Sequence, residues 1–68
     1  MKLCELMKLL NDDLTIWVSF HNIQTNGYYN NQITVENFGM LSDEYQSARV
    51  VSFCYPMSNL VVINCEID

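Results

Sequence analysis

Leu14, Ile16, Val18 and Phe20 alternate with Thr15, Trp17, Ser19 and His21, and the alternation runs into Asn26-Gly27 within the uncharged stretch HNIQTNGYYNNQ, residues 21 to 32. A period of two puts the first set on one face of a strand and the second on the other. The β-branched and aromatic content suits a pleated, half-buried surface. Asn-Gly is a strong hairpin signal, because a type I′ turn needs positive φ at both central residues. A reversal at Asn26-Gly27 sets Phe20 opposite Ile33 and Val18 opposite Val35 on the apolar face. On the other face it sets Trp17 opposite Glu36, Ser19 opposite Thr34 and His21 opposite Gln32, with Gln24 opposite Tyr29 near the tip. A slip of one residue would turn Ile33 and Val35 away from their partners. The polar stretch therefore reads as the tip of a long hairpin.

The flanking segments supply the rest of a fold. In KLCELMKLL, Leu3, Leu6, Met7 and Leu10 fall at helical spacing and make one apolar stripe. Lys2, Glu5 and Lys8 lie away from its centre, and Glu5 can reach Lys8 one turn on. Asn11, Asp12 and Asp13 end the helix, since Asn tolerates a left-handed cap and Asp competes for backbone hydrogen bonds. So short a helix is marginal alone and must lie on the sheet. In the linker, Ser42 or Asp43 can cap a short helix through Tyr45 to Ala48, with Met40, Leu41, Tyr45 and Ala48 against the core.

The closing segment alternates twice, through Val51, Phe53 and Tyr55 and through Val61, Ile63, Cys65 and Ile67. A connection within Pro56 to Leu60 pairs Tyr55 with Val61, Phe53 with Ile63 and Val51 with Cys65, with Pro56 in the turn. Val50, Cys54, Leu60 and Val62 then occupy the second face, so both faces call for cover. The expected fold is α+β, a single domain over residues 1–68: an N-terminal helix packed on an antiparallel sheet of about four strands from two hairpins, with a short second helix.

Composition narrows the function. The net charge is −5 with three cations, Lys2, Lys8 and Arg49. Phosphate binding needs clustered Lys and Arg, so direct nucleic-acid binding and attachment to an anionic membrane are not expected. No apolar run reaches the ~18 residues of a membrane helix. MKLCELMKLL carries Glu5 and Lys8 within its apolar part and lacks a small-residue cleavage site, unlike a signal peptide, which points to the cytoplasm. Cys4, Cys54 and Cys65 form no CxxC pair, and His21 is the only histidine. Buried reduced thiols are the expectation, with neither disulfide nor zinc. Cys54 projects to the opposite face from Cys65, which argues against a bridge between them.

Little in the chain carries catalysis. His21 with Ser19 or Cys54 is the one nucleophile–base combination available, and its plain alternative is a half-exposed strand residue beside a turn. No Walker loop, dinucleotide fingerprint or Ca²⁺ loop occurs, so no cofactor is expected. The candidate partner-binding residues are the aromatics Trp17, Tyr28 and Tyr29 and the acidic pairs Asp12/Asp13 and Asp43/Glu44. Trp and Tyr are enriched in interface hot spots, and an acidic face steers association with a basic partner. The plain alternatives are that Trp17 packs under a helix and that the acids serve solubility.

Taken in order, KLCELMKLL, DDLTIWVSF, SDEYQSARVVSF and LVVINCEI resemble small accessory proteins of bacteriophages and integrative elements, which run as a leucine-rich helix, a hairpin, a linker and a final hairpin. The resemblance lies in apolar pattern and carries no functional residues over. It implies an anti-defence role, such as that of acidic anti-CRISPR inhibitors that occupy nucleic-acid-binding surfaces. The leading expectation is thus a non-enzymatic inhibitor acting in the host cytoplasm on a host protein such as a defence nuclease, and itself a homodimer. The alternatives are an oligomer that sequesters a nucleotide-like molecule between Trp17, Tyr28, Tyr29 and Asn side chains, and a structural subunit of a larger complex.

Overall fold

A computed structural model describes residues 1–68. In chain order it contains α1 (Leu3–Met7), β1 (Thr15–Asn22), β2 (Gly27–Thr34), a 3₁₀ turn (Phe38–Met40), α2 (Asp43–Gln46), β3 (Arg49–Met57) and β4 (Leu60–Ile67). The strands form one sheet in the order β2-β1-β4-β3. Both hairpins are antiparallel, but β1 and β4 join them as a parallel pair, with Thr15 beside Leu60, Val18 beside Ile63 and Asn22 beside Ile67. The sheet is therefore mixed, not antiparallel as expected from the sequence. The α+β class holds, with two short helices.

The cause is burial. β1 carries apolar residues inward from Ile16 to Phe20 and β4 from Val61 to Ile67, and Ile16, Val18, Val61 and Ile63 are fully buried. Each such side chain stabilises the fold by roughly 1.5–3 kcal/mol, so these two strands take the centre. Thr15 N donates to Asn59 O and Ile23 N to Ile67 O, both at 2.9 Å, which closes the pair at each end. With β1 and β4 parallel, β2 and β3 run in the same direction as each other. The linker must then return along the full strand length, and a crossover between parallel strands needs a dozen or more residues. The segment 35–48 supplies them. Val35, Phe38, Leu41 and Tyr45 pack half-buried against the core, and Ala48 is buried. Met40 was expected inside but is 87% exposed.

Leu3, Leu6 and Met7 belong to the same buried cluster as the inward residues of the strands, and Leu10 is half-buried beside them. The helical stripe is present, yet α1 is shorter than the spacing predicts. Leu9 N bonds Leu6 O and Leu10 N bonds Met7 O, so the last turn tightens after Met7. Glu5 turns back rather than forward to Lys8: its Oε1 accepts from Lys2 N at 2.7 Å, and this bond holds its carboxyl below the usual range. Leu3 N donates to Ala48 O and Val50 N to Met1 O, which ties the first residues to the start of β3.

The first hairpin reverses earlier than Asn26-Gly27. Asn22 Oδ1 accepts from Gln24 N and Thr25 N, curling the chain into a loop of Ile23 to Asn26. Asn26 alone has positive φ, 57°, and Gly27 begins β2 with an ordinary φ. Consequently Ile33 lies opposite Ile16, not Phe20, and Val18 meets Asn31, not Val35. Trp17 pairs with Gln32, Ser19 with Asn30, His21 with Tyr28 and Phe20 with Tyr29. Gln24 sits in the loop and has no partner strand. Relative to the expected register the shift is an even number of residues, so every side chain keeps its face.

In the second hairpin Phe53 does pair with Ile63. Pro56 lies within edge strand β3 and the turn is Ser58-Asn59. An irregularity at Val51 pairs Val50 with Cys65, so Val50 packs against the core while Val51 faces outward, the reverse of the expected arrangement. All three cysteines are free, but only Cys65 is buried: Cys4 is half-buried and Cys54 exposed. Burial pushes the Cys65 thiol up to about 11.

Two measurements check this description. In thermal melts Gly27→Ala should cost under ~1 kcal/mol, its new Cβ meeting only Thr25 Oγ1 at 3.3 Å, whereas Asn26→Ala should cost about 1–2 kcal/mol for the left-handed backbone. The reverse ranking would restore a turn centred on Asn26-Gly27. Alkylation at neutral pH should modify Cys54 rapidly and Cys65 only upon global unfolding; equal rates in the native protein would contradict the core.

Candidate functional site: an uncovered sheet face

All helical and linker residues that are buried contribute to one cluster on one side of the sheet. The other face has no covering element. It presents Trp17, Ser19 and His21 from β1, Tyr28, Asn30 and Gln32 from β2, Val62, Asn64 and Glu66 from β4, and Val51, Ser52 and Cys54 from β3. Trp17 is 43% and Tyr28 70% exposed. Trp17 therefore does not lie beneath a helix.

One end of this face is organised by polar contacts. His21 stacks on Tyr28 with ring centroids 4.6 Å apart and planes at 13°. Its Nδ1 lies 4.0 Å from Glu66 Oε2 and its Nε2 is 2.8 Å from Asn26 Oδ1. Arg49 donates to Glu66 Oε1 at 3.2 Å and lies 3.9 Å from Asp68 Oδ1. Asn64 Nδ2 donates to Ser52 Oγ at 3.1 Å. Being partly exposed, the ion pairs contribute about 0–1 kcal/mol each; they chiefly orient the side chains. Ser19, His21, Tyr28, Val51, Asn64 and Glu66 surround a shallow depression of about 160 Å³, below the ~300 Å³ at which ligand pockets begin.

The nucleophile–base combinations are not assembled here. The Nε2 of His21 is committed to Asn26 in the hairpin loop, and Nδ1 faces Glu66, so neither ring nitrogen is directed at Ser19. Cys54 pairs with Val62, whereas His21 pairs with Glu66. Four residues along the sheet separate those positions by about 13 Å, before the further step between strands.

The sequence candidates scatter. Trp17 and Tyr28 share the open face, at opposite ends of β1. Tyr29 lies on the core side, tilted against Tyr45 at 5.2 Å and stacked on Phe20 at 6.2 Å. The three rings line no common pocket. Asp12 and Asp13 are exposed in the turn before β1, at the end of the sheet that holds the β3–β4 turn. Asp43 and Glu44 are exposed on α2 at the far end, where Glu44, Glu66 and Asp68 surround Arg49. The acidic pairs thus make no single face. Sequence reading missed the contact of His21 with Glu66 and of Glu66 with Arg49, because it depends on β4 lying beside β1. The only signal available was that each falls on the outward side of its own strand.

No family model, curated protein or solved structure matches this chain. No helix is long and apolar enough to cross a membrane.

If the outer face is uncovered, Trp17→Ala should destabilise by about 1 kcal/mol or less. A loss of about 3–5 kcal/mol in chemical denaturation, the cost of emptying a core site, would show the indole to be enclosed.

Proposed function

We propose that this chain is a non-enzymatic protein-binding module that engages its partner through the open face of the sheet. The observation that carries the reading is the exposure of Trp17 and Tyr28 on a face with no covering element. Large aromatic rings on a rigid sheet give contact area at low entropic cost, and such residues dominate interface energetics. A standard interface takes ~800 Å² per partner. Against a total surface of 4444 Å² that is roughly a fifth of the molecule, which an open four-stranded face can offer.

The charge of −5 favours a basic partner through electrostatic steering. Proteins that bind nucleic acid carry such surfaces. Together with the resemblance to phage accessory proteins, this makes a host defence protein, a nuclease first among them, the partner class to test. An inhibitor of this kind would act by occupying the basic surface, and the chain's own chemistry would be confined to contact. The contributing residues are then Trp17, Tyr28, Val62 and Glu66 on the open face, with Tyr29 and the acidic pairs outside it.

The test is co-purification from bacterial lysate with wild type and with the Trp17→Ala/Tyr28→Ala double variant in parallel. A host protein should be retained in defined stoichiometry by the wild type and bind the double variant at least ~30-fold more weakly, the scale of a hot-spot loss of about 2 kcal/mol. Retention of the same protein equally by both forms would remove the open face from the account.

A further inference from the structure

β3 is an edge strand whose exposed side chains are apolar on both faces: Val51, Phe53, Tyr55 and Met57 are 58, 48, 53 and 61% exposed. Only its first residues are covered, by the contact of Val50 N with Met1 O and the bridge of Lys2 to Arg49. No charged residue occurs from Val50 through Cys65, although the chain as a whole carries −5. The usual protection of an edge by Lys or an inward charge is missing there. A second molecule of the same acidic protein can approach this stretch without facing a carboxylate on it.

The hydrogen-bonding pattern sets which residues could pair. Val50 sends its N–H away from β4 to Met1 O, so Val50 and Cys65 form a rung without mutual hydrogen bonds. Such rungs alternate along an antiparallel pair. Ile63, two residues along β4, is the next of this kind, and its partner Phe53 turns its backbone N–H and C=O outward. Extended two residues to Tyr55, which falls in the irregularity before Met57, the same alternation turns its N–H and C=O outward; its ring meets that of Phe53 edge-on at 6.4 Å and 86°. Pro56, which has no N–H to offer, lies in the irregular stretch and is not used in the pairing. Regular pairing with β4 here spans Ser52 to Cys54, between the irregularity at Val51 and the one that holds Tyr55 and Pro56.

We propose that two copies of this chain pair β3 to β3 antiparallel about a twofold axis at Cys54, with Phe53 opposite Tyr55 of the partner subunit. Of the registers that place outward groups opposite one another, this one uses both residues of both copies, so four backbone hydrogen bonds form across the axis. It is isologous, as a closed dimer requires. Val51 then lies opposite Met57 of the partner subunit on the open face, and Phe53 and Tyr55 stack across the seam on the other. The two Cys54 residues form a rung without mutual hydrogen bonds, where Cα atoms approach to about 4.5 Å, within the ~4.4–6.8 Å of a disulfide. The two sheets become one of eight strands, and the open faces of both copies merge into a continuous platform. Half-covered Phe and Tyr rings offer on the order of 200 Å² per copy, well under the ~800 Å² of a standard interface, so the dimer is reversible and forms with concentration.

The proposal stands independently of the partner-binding reading, because it is tested on the purified chain alone. Light scattering on the reduced protein should give a mass that rises with concentration from 7.9 kDa toward twice that value. Phe53→Lys should hold it at the monomer mass with an unchanged circular dichroism spectrum; Tyr55→Lys provides the same test should Phe53→Lys fail to fold. Oxidised glutathione should convert the wild type to a covalent dimer, two Cys54 thiols giving up two electrons and two protons as the oxidant becomes two reduced glutathiones. Cys54→Ser should abolish that product and Cys4→Ser should leave it. A wild type that remains monomeric at millimolar concentration overturns the proposal. So does a dimer indifferent to both lysine variants, or one whose Cys54 residues do not cross-link.

Discussion

The parallel contact of β1 with β4 is the constraint from which the rest of the molecule follows. Ile16, Val18 and Phe20 lie beside Val61, Ile63 and Cys65, and these are the most deeply buried side chains of the sheet. A chain this short hides only about 60% of its unfolded surface, so it cannot leave its two most apolar strands apart. Once they are adjacent and parallel, β2 and β3 become the edges, and the linker must cross the core side to connect them. That crossing brings Phe38, Leu41, Tyr45 and Ala48 to the core and completes it. It also spends the linker on one face and leaves the other open.

The open face is a by-product of a shortage of material. With one crossing segment and one helical turn and a half, only the core side can be covered. The side bearing Trp17, His21, Tyr28, Val62 and Glu66 is left to solvent or to a partner. The edges follow the same logic. β2 carries Asn30, Asn31 and Gln32 along its middle, polar side chains suited to water, whereas β3 exposes Phe53, Tyr55 and Met57 without a neighbouring charge. The two edges of one sheet therefore differ, and β3 is the one on which the proposed pairing falls.

What could be read from the sequence is what period-two and helical spacing encode. The partition of Ile16, Val18, Phe20 and Ile33, and of Val61, Ile63, Cys65 and Ile67, onto the core side follows directly from alternation, and the Leu3-Leu6-Met7 stripe from helical spacing. Register was not legible, because Asn22 competes with Asn26-Gly27 for the turn through its side-chain oxygen. The resulting even shift exposes no apolar residue, so hydrophobic pattern cannot detect it. The irregularity at Val51 was hidden for a related reason: Val50 and Val51 are identical, and nothing local says which faces inward. Strand order lay beyond local pattern altogether, since it depends on how two hairpins meet. The candidate site shares that limit. Exposure of Trp17 and Tyr28 could be proposed from their faces, but the line from Tyr28 through His21 and Glu66 to Arg49 exists only because β1 and β4 are neighbours.

The most direct test of this organisation is the pattern of backbone nuclear Overhauser contacts between β1 and β4. Parallel pairing gives contacts linking Ile16 to Val61, Val18 to Ile63 and Phe20 to Cys65, advancing in the same direction along both strands. Contacts that run in opposite directions, or that place β1 beside β3, would contradict it, and with it the crossing linker and the open face.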